Sequence, residues 1–99
     1  MESLTPRLKT AAGFVRKGHK LIDVGTDHGY LPAYLIIKGV IPCATACDIG
    51  RMPLLNAKKT AEKYCIEDKM KLTLSDGLKE IKPSDGDDVV IAGMGGELI

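Results

Sequence analysis

Short apolar strand patterns alternate with helical patterns along this chain, and glycine or proline stands between them. Leu21–Val24 and residues 88–92 are apolar runs of strand length, and residues 31–38 between them have the character of a helix. Such an alternation is typical of parallel βα units. The sequence therefore predicts an α/β fold, with a parallel sheet that carries helices on both faces.

The limits of the predicted elements follow from local signals. Thr5 as N-cap and Pro6 at the first helical position begin a first helix, which Lys17 and Gly18 end. Residues 97–99 resemble the first turn of another helix. The other predicted elements are a second helix over 31–38, a strand over 43–47, a third helix beginning near Pro53, a strand over 70–74 near a sheet edge, and a central strand over 88–92.

Composition narrows the classes of function. A chain of 99 residues with 44% hydrophobic residues is one domain at most, and a net charge of +1 gives no basic field over the whole chain. No apolar run approaches the ~20 residues of a membrane span, and the amino terminus is no secretory signal, so we expect no membrane. Three cysteines without a CxxC pair, and two histidines, predict neither disulfides nor a metal site. Buried free thiols in a reducing cytoplasm are the simplest interpretation of the cysteines.

The turn in residues 22–32, IDVGTDHGYLP, is the most informative segment. A phosphate-binding GxxxxGK[ST] run is absent. The dinucleotide fingerprint GxGxxG is absent too, because Asp27 stands where its second glycine would let the backbone approach a pyrophosphate. An acidic side chain at that position repels a diphosphate. The turn therefore favours a ligand that is neutral or cationic near it.

S-adenosylmethionine suits the arrangement D-x-G-x-D-x-G that follows the first strand. Gly25 lets the chain turn sharply, and Gly29 lets the next helix pack closely. Asp48 ends the second strand, where a carboxylate can accept both ribose hydroxyls. The sulfonium and ammonium groups tolerate Asp23 and Asp27, and the cofactor carboxylate can accept N–H groups at the helix start.

Two further loops are predicted to meet this turn, since ligands bind at the carboxyl ends of parallel strands. Asp76 follows the third strand and can accept a hydrogen bond from an adenine amino group, although an Asx turn is an alternative. Residues 93–96 follow the fourth strand. The four loops together predict one cofactor site at this edge of the sheet.

Several candidates also have a purely structural interpretation. Asp23 could orient the N–H groups of the turn without touching a ligand, and Asp48 could cap the following helix. His28 could make a structural hydrogen bond at the helix start. Tyr30 could either stack on a base or pack against the protein. The sequence leaves these alternatives open.

The segments DVGTDHGYLP, ACDIG, LSDGL and VVIAGMGGELI, with LTPRLKTAAGFV near the amino terminus, resemble the bacterial tRNA (adenine-N1)-methyltransferases that act on adenine 22. The resemblance implies a Rossmann-like class I methyltransferase fold that uses S-adenosylmethionine to methylate N1 of a tRNA adenine. It implies that Arg7 contacts the cofactor carboxylate or the RNA. We expect Asp27 and His28 to lie near the reacting base, where a carboxylate can stabilise the cationic product, although Asp27 could face the cofactor instead. The implied cofactor residues are Gly25, Thr26, Asp27, Gly29, Asp48, Ile49, Asp76, Gly77, Gly93, Met94 and Gly95.

Members of that family continue into further strands and a helical domain that engages tRNA. We therefore expect residues 1–99 to be the N-terminal part of a cofactor-binding domain, truncated after its fourth strand. In the strand order 3-2-1-4-5, residues 89–91 would then form an exposed edge that promotes self-association. Two alternatives are a cofactor-binding fragment without turnover and half of a nicotinamide dehydrogenase, against which Asp27 and the missing GxGxxG argue.

Overall fold

The structure, a computed structural model, describes residues 6–26, 28–76, 79, 82, 86–91 and 97–98, without the side chains of Arg7, Glu97 and Leu98. Helices and strands alternate from α1 to β3, as the sequence predicts. The helices are α1 (Pro6–Ala12), α2 (Tyr30–Ile37) and α3 (Arg51–Lys63), with a 3₁₀ turn at Glu67–Lys69. The strands are β1 (Leu21–Val24), β2 (Ala44–Asp48), β3 (Met70–Leu74), β4 (Asp88–Ile91) and β5 (Glu97–Leu98).

The five strands form one sheet in the order β3-β2-β1-β4-β5. The first four are parallel, with Leu21 of β1 beside Ala44 of β2 and Asp88 of β4. β3 lies at one edge, as its alternating pattern predicted. The parallel order with β1 in the middle confirms the predicted Rossmann-like arrangement, and it places the turns after β1, β2 and β3 at the same edge of the sheet.

The central strands carry apolar side chains on both faces of the sheet, and both sets of side chains are buried. On one face, Leu21 joins Ala46 and Val90 in the main core, which also contains Leu31 and Leu35 of α2. On the other face, a smaller cluster contains Ile22, Val24 and Cys47. All four residues of β1 are buried. Burial of each branched side chain stabilises the fold by about 1.5–3 kcal/mol.

An ion pair joins the segment before β1 to the start of β4. Nε and Nη2 of Arg16 donate to Oδ1 of Asp88 at 2.9 and 2.6 Å, and the Arg16 backbone N–H donates to Oδ2 at 3.1 Å. The backbone N–H groups of Asp87 and Asp88 donate to the Lys20 carbonyl. The hydrogen bond from Arg16 holds the pKa of the Asp88 carboxyl below its usual value. These contacts set the register of β4 beside β1.

The first helix is shorter than predicted. α1 ends at Ala12, because the N–H groups of Phe14 and Val15 donate three residues back, to Ala11 and Ala12, and so tighten the chain into turns. The prediction that the helix runs to Lys17 and Gly18 is wrong. The predicted N-cap, Thr5, lies outside the described residues.

Two predictions for the end of the chain are also wrong. Glu97–Leu98 is a strand and not a helical turn. It runs antiparallel to β4, with Leu98 beside Val90 and Glu97 beside Ile91. The predicted exposed edge of β4 is therefore covered over two residues. Pairing with another strand satisfies backbone groups that an open edge leaves unpaired. Self-association through that edge stays a prediction without its original premise.

Candidate cofactor site

The structure joins the turns that follow β1, β2 and β3. The N–H groups of Gly25 and Thr26 donate to the Cys47 carbonyl at 2.9 and 3.0 Å. The N–H group of Ser75 donates to the Asp48 carbonyl at 2.9 Å. These bonds continue the sheet pairing beyond β1 and β3 and hold the turns after these two strands against the end of β2. The predicted gathering of loops at the carboxyl edge is present for these three; residues 92–96 lie outside the described residues.

Both glycines of the first turn have the geometry that their positions demand. Gly25 has φ of 70° and Gly29 has φ of 68°, in the left-handed region that favours glycine. A Cβ on Gly29 would lie 3.0 Å from Cβ of Ala57, so glycine allows α2 to begin directly against α3. His28 between them also has a positive φ, of 61°. A left-handed histidine is uncommon and indicates that the surroundings impose this conformation.

Thr26 carries the clearest sign of a ligand in this turn. Its side chain is 1% exposed, and Oγ1 has no hydrogen-bond partner in the described part of the chain. A buried hydroxyl without a partner costs about 1–3 kcal/mol. Asp23, in the preceding strand β1, is also buried but has an interaction within the protein. Asp23 is therefore engaged structurally, whereas Thr26 offers a donor and acceptor that the fold leaves unused.

Asp48 ends β2 and holds the next loop. Its Oδ1 accepts the N–H group of Gly50 at 2.8 Å, and Gly50 is the N-cap residue of α3. The carboxylate therefore supports the helix start without capping it directly. Among the described residues no second hydrogen bond to this side chain is found, so Oδ2 can accept from a ligand. The structural role and the predicted ribose role are compatible in the same side chain.

Apolar side chains stand open beside Asp48. Ile49 follows Asp48 and is 71% exposed. Leu74, the partner of Asp48 in the β2–β3 register, is exposed as well. Sequence reasoning named Ile49 but missed Leu74, whose place in an alternating strand suggested a buried residue. The sequence signal that could have pointed to Leu74 was its position as the last residue of the strand, directly before the loop that begins at Ser75. Together the two residues can form an apolar wall for a flat ring.

Asp76 lies in the third loop but is exposed and paired. Its Oδ2 accepts from Nζ of Lys79 at 3.1 Å. The N–H group of Lys79 donates to the Asp76 backbone carbonyl. The alternative, an Asx turn, would use the N–H group of residue 78, which lies outside the described residues. A contact to adenine stays a prediction.

His28 and Tyr30 form a stacked pair where α2 begins. Their ring centroids lie 5.1 Å apart with an interplanar angle of 13°. Tyr30 is 44% exposed, so it lies outside the core, and its stack on His28 is packing at the surface of the protein, which was one of the two predicted roles. Stacking on a base stays a prediction. The pair places an aromatic surface next to the glycine turn.

The remaining predicted site residues cannot be placed. Asp27, Gly77, Gly93, Met94 and Gly95 lie outside the described residues, as does the side chain of Arg7. Within the described ranges, no three His, Cys, Asp or Glu residues are grouped to hold a metal ion. No described helix is both long enough and apolar enough to cross a bilayer.

Comparison with known proteins agrees with this geometry. Residues 4–99 match the family described as a methyltransferase domain. The chain is 38% identical over 96 residues to the tRNA (adenine(22)-N(1))-methyltransferase of Bacillus subtilis, covering 97% of this chain and 40% of that protein.

Solved structures of similar proteins have the same fold. The crystal structure of the B. subtilis m1A22 tRNA methyltransferase TrmK is 36% identical, with a TM-score of 0.87 over 94% of this chain and 40% of that one. Streptococcus pneumoniae Sp1610, described as a putative tRNA (m1A22) methyltransferase in complex with S-adenosyl-L-methionine, gives the same identity and TM-score, and 44% of it is covered. The chain spans about two-fifths of the length of these relatives. The resemblance seen in the sequence is confirmed, and the chain belongs to the methyltransferase domain family.

Proposed function

We propose that this chain is the cofactor-binding portion of an S-adenosylmethionine-dependent methyltransferase that acts on N1 of a tRNA adenine. The observation that carries the proposal is the buried hydroxyl of Thr26, which has no hydrogen-bond partner among the described residues and lies in the glycine turn. The Thr26 backbone N–H group donates to Cys47, the residue before Asp48. The relatives named for tRNA (adenine-22) methylation, and the bound S-adenosylmethionine in one of them, support the choice of reaction and cofactor.

The described residues offer the chemical groups that would bind each part of this cofactor. Asp48 would accept the ribose hydroxyls through Oδ2, because Oδ1 is occupied by Gly50. Ile49 and Leu74 would flank the adenine ring, with Asp76 and Gly77 at its edge. Thr26 would hydrogen-bond a polar group of the methionine portion.

The methionine carboxylate has fewer available N–H groups than the sequence suggested. Gly25 and Thr26 donate their N–H groups to Cys47, so these two are occupied. The first hydrogen bond within α2 runs from Ala33 to Gly29, which leaves the N–H groups at the start of the helix for an anion. Arg7 would add a positive charge at that carboxylate or on the RNA.

The bound cofactor would supply an electrophilic methyl group. The protein's part is to hold adenine N1 in line with it, since N1 has a lone pair and needs no base. Asp27 and His28 would lie near the base, where a carboxylate stabilises a cationic ring. Gly93, Met94 and Gly95 would line the wall beside the methyl group. The partner would be tRNA in the cytoplasm.

Isothermal titration of the 99-residue chain with S-adenosylhomocysteine tests the cofactor site, with NADH as the control ligand. Asp48→Asn is the sharpest variant, because asparagine keeps an oxygen for the Gly50 N–H group and removes the charge. We expect the affinity to fall at least about tenfold, as for loss of a charged hydrogen bond. Asp68→Asn makes the same chemical change at an exposed position in the 3₁₀ turn that precedes β3. It should leave the affinity for S-adenosylhomocysteine unchanged.

The outcomes separate the alternatives. Equal affinity of wild type and Asp48→Asn would contradict the ribose role. Binding of NADH alone would favour a dehydrogenase half. Binding of S-adenosylhomocysteine without methyl transfer from S-adenosylmethionine to tRNA would show a cofactor-binding fragment without turnover.

A further inference from the structure

We propose that the exposed ring of Tyr30, held by its stack on His28, is the surface on which the target adenine stacks, and that it favours the positively charged product ring. The inference rests on the proposed function and adds to it a preference between two charge states of the base. It is carried by the observed stacking geometry, by the exposure of Tyr30 and by the backbone conformation of His28.

The pair is ordered before any ligand binds. The two rings lie nearly parallel, at 13°, with 5.1 Å between centroids, and His28 occupies the left-handed region with φ of 61°. The left-handed region is uncommon for non-glycine residues, although histidine adopts it more often than most, and it persists where the surrounding structure determines it. His28 also has a further interaction within the protein. One face of Tyr30 is therefore covered, while 44% of the residue remains exposed for a ligand.

The position of Tyr30 suits a reacting base. It is the first residue of α2 and follows Gly29 directly, so it stands beside the glycine turn that contains Thr26. A ring that stacks on Tyr30 lies next to the proposed cofactor. Aromatic side chains bind bases in this way without reading sequence, since every base has a π face.

The charge argument follows from the reaction. Adenine N1 forms a bond to the transferred methyl carbon as the carbon–sulfur bond breaks, and the electron pair of that bond stays on sulfur. The positive charge thereby passes from the sulfonium to the adenine ring. An aromatic face attracts a cation more strongly than a neutral ring. Tyr30 would therefore bind the base more tightly as the transfer proceeds, and such differential binding accelerates a reaction.

Binding of 1-methyladenosine and adenosine to the 99-residue chain tests this. The chain is first saturated with S-adenosylhomocysteine, so that the nucleosides cannot occupy the cofactor's own adenosine position, and affinities are measured by NMR titration. We expect 1-methyladenosine to bind about two- to fivefold more tightly than adenosine. Tyr30→Leu should weaken 1-methyladenosine at least about fivefold and abolish the preference, whereas Tyr30→Phe should retain both.

Two matched variants separate stacking from structural support. Phe14→Leu removes another exposed aromatic ring, 69% exposed, from the segment between α1 and β1. It should change neither affinity. His28→Asn removes the supporting ring but tolerates a left-handed backbone. It should lower the affinity for 1-methyladenosine while leaving the thermal midpoint unchanged. A residue with a purely structural role would instead lower the midpoint.

The results distinguish this proposal from the function on which it rests. If S-adenosylhomocysteine binds but Tyr30→Leu leaves the affinity for 1-methyladenosine and its preference unchanged, the stacking proposal is overturned and the cofactor site stands. If S-adenosylhomocysteine does not bind the folded chain, the proposed function fails and this inference fails with it.

Discussion

Replacing Gly29 by alanine should destabilise the fold through two separable effects. With φ of 68°, alanine at this position would have to adopt a left-handed conformation, which costs about 1–2 kcal/mol. The added Cβ would also lie 3.0 Å from Cβ and 3.3 Å from Cα of Ala57. Both are rigid atoms of α3, so the helices must separate, and overpacking of this kind costs about 1–3 kcal/mol.

Gly39 provides a matched control for the backbone effect. Its φ of 74° is nearly the same, and an added Cβ there meets nothing within 4 Å. Gly39→Ala should therefore carry the left-handed cost alone. Any gain from restricting the unfolded chain is common to both variants. The difference between them isolates the contact with Ala57, and we expect it to be about 1–3 kcal/mol.

Urea unfolding of wild type, Gly29→Ala and Gly39→Ala, followed by circular dichroism, gives the three free energies of unfolding. Domains of this size have a small margin, so a Gly29→Ala chain that does not fold while Gly39→Ala does would agree with the prediction. Equal destabilisation by the two substitutions would refute the argument that Gly29 is required by close packing. It would leave only its left-handed conformation as the reason for glycine.

Two further predictions follow from the same structure. Thr26→Val replaces a buried hydroxyl, which has no hydrogen-bond partner among the described residues, with a methyl group of similar size. The free energy of unfolding should stay equal or rise, while affinity for S-adenosylhomocysteine falls; calorimetry that shows unchanged affinity would exclude a cofactor contact at Thr26. Asp88→Asn concerns acid stability. Because Arg16 lowers the folded pKa of Asp88, its stabilisation is complete above the unfolded pKa and is lost as pH falls through the folded one. On acidification below about pH 4, the urea midpoint of wild type should therefore drop more than that of Asp88→Asn, and parallel pH profiles would contradict the ion-pair argument.

The order of elements was predictable because hydrophobic periodicity and glycine turns reflect local physics. β1 and β3 lie where the pattern put them, and α2 begins one residue earlier. The failures came from tertiary effects. Glu97–Leu98 has too few residues for periodicity to decide, and pairing with β4 makes it a strand. The ion pair of Arg16 with Asp88 joins residues 72 positions apart, which no local pattern reveals.

The candidate site was predictable in its residue types and not in its contacts. A carboxylate at the end of β2 pointed to Asp48, but its bond to Gly50 depends on how the loop folds. Thr26 came only from family resemblance, because burial without a partner is a property of the folded turn. Likewise the sequence shows His28 and Tyr30 two positions apart, and the parallel arrangement of their rings and the left-handed backbone of His28 are properties of the folded turn.

The position of β1 in the middle of the sheet has a consequence for the order of folding. Leu21 pairs with Ala44 on one side and with Asp88 on the other. The stretch of chain from Leu21 to Asp88 is about three times as long as the stretch from Leu21 to Ala44, so pairing its ends costs ~1 kcal/mol more in loop-closure entropy. Contacts that close long loops form late. During synthesis on the ribosome, the most buried strand of the molecule thus waits longest for its second neighbour, with one side of its backbone open until β4 has emerged.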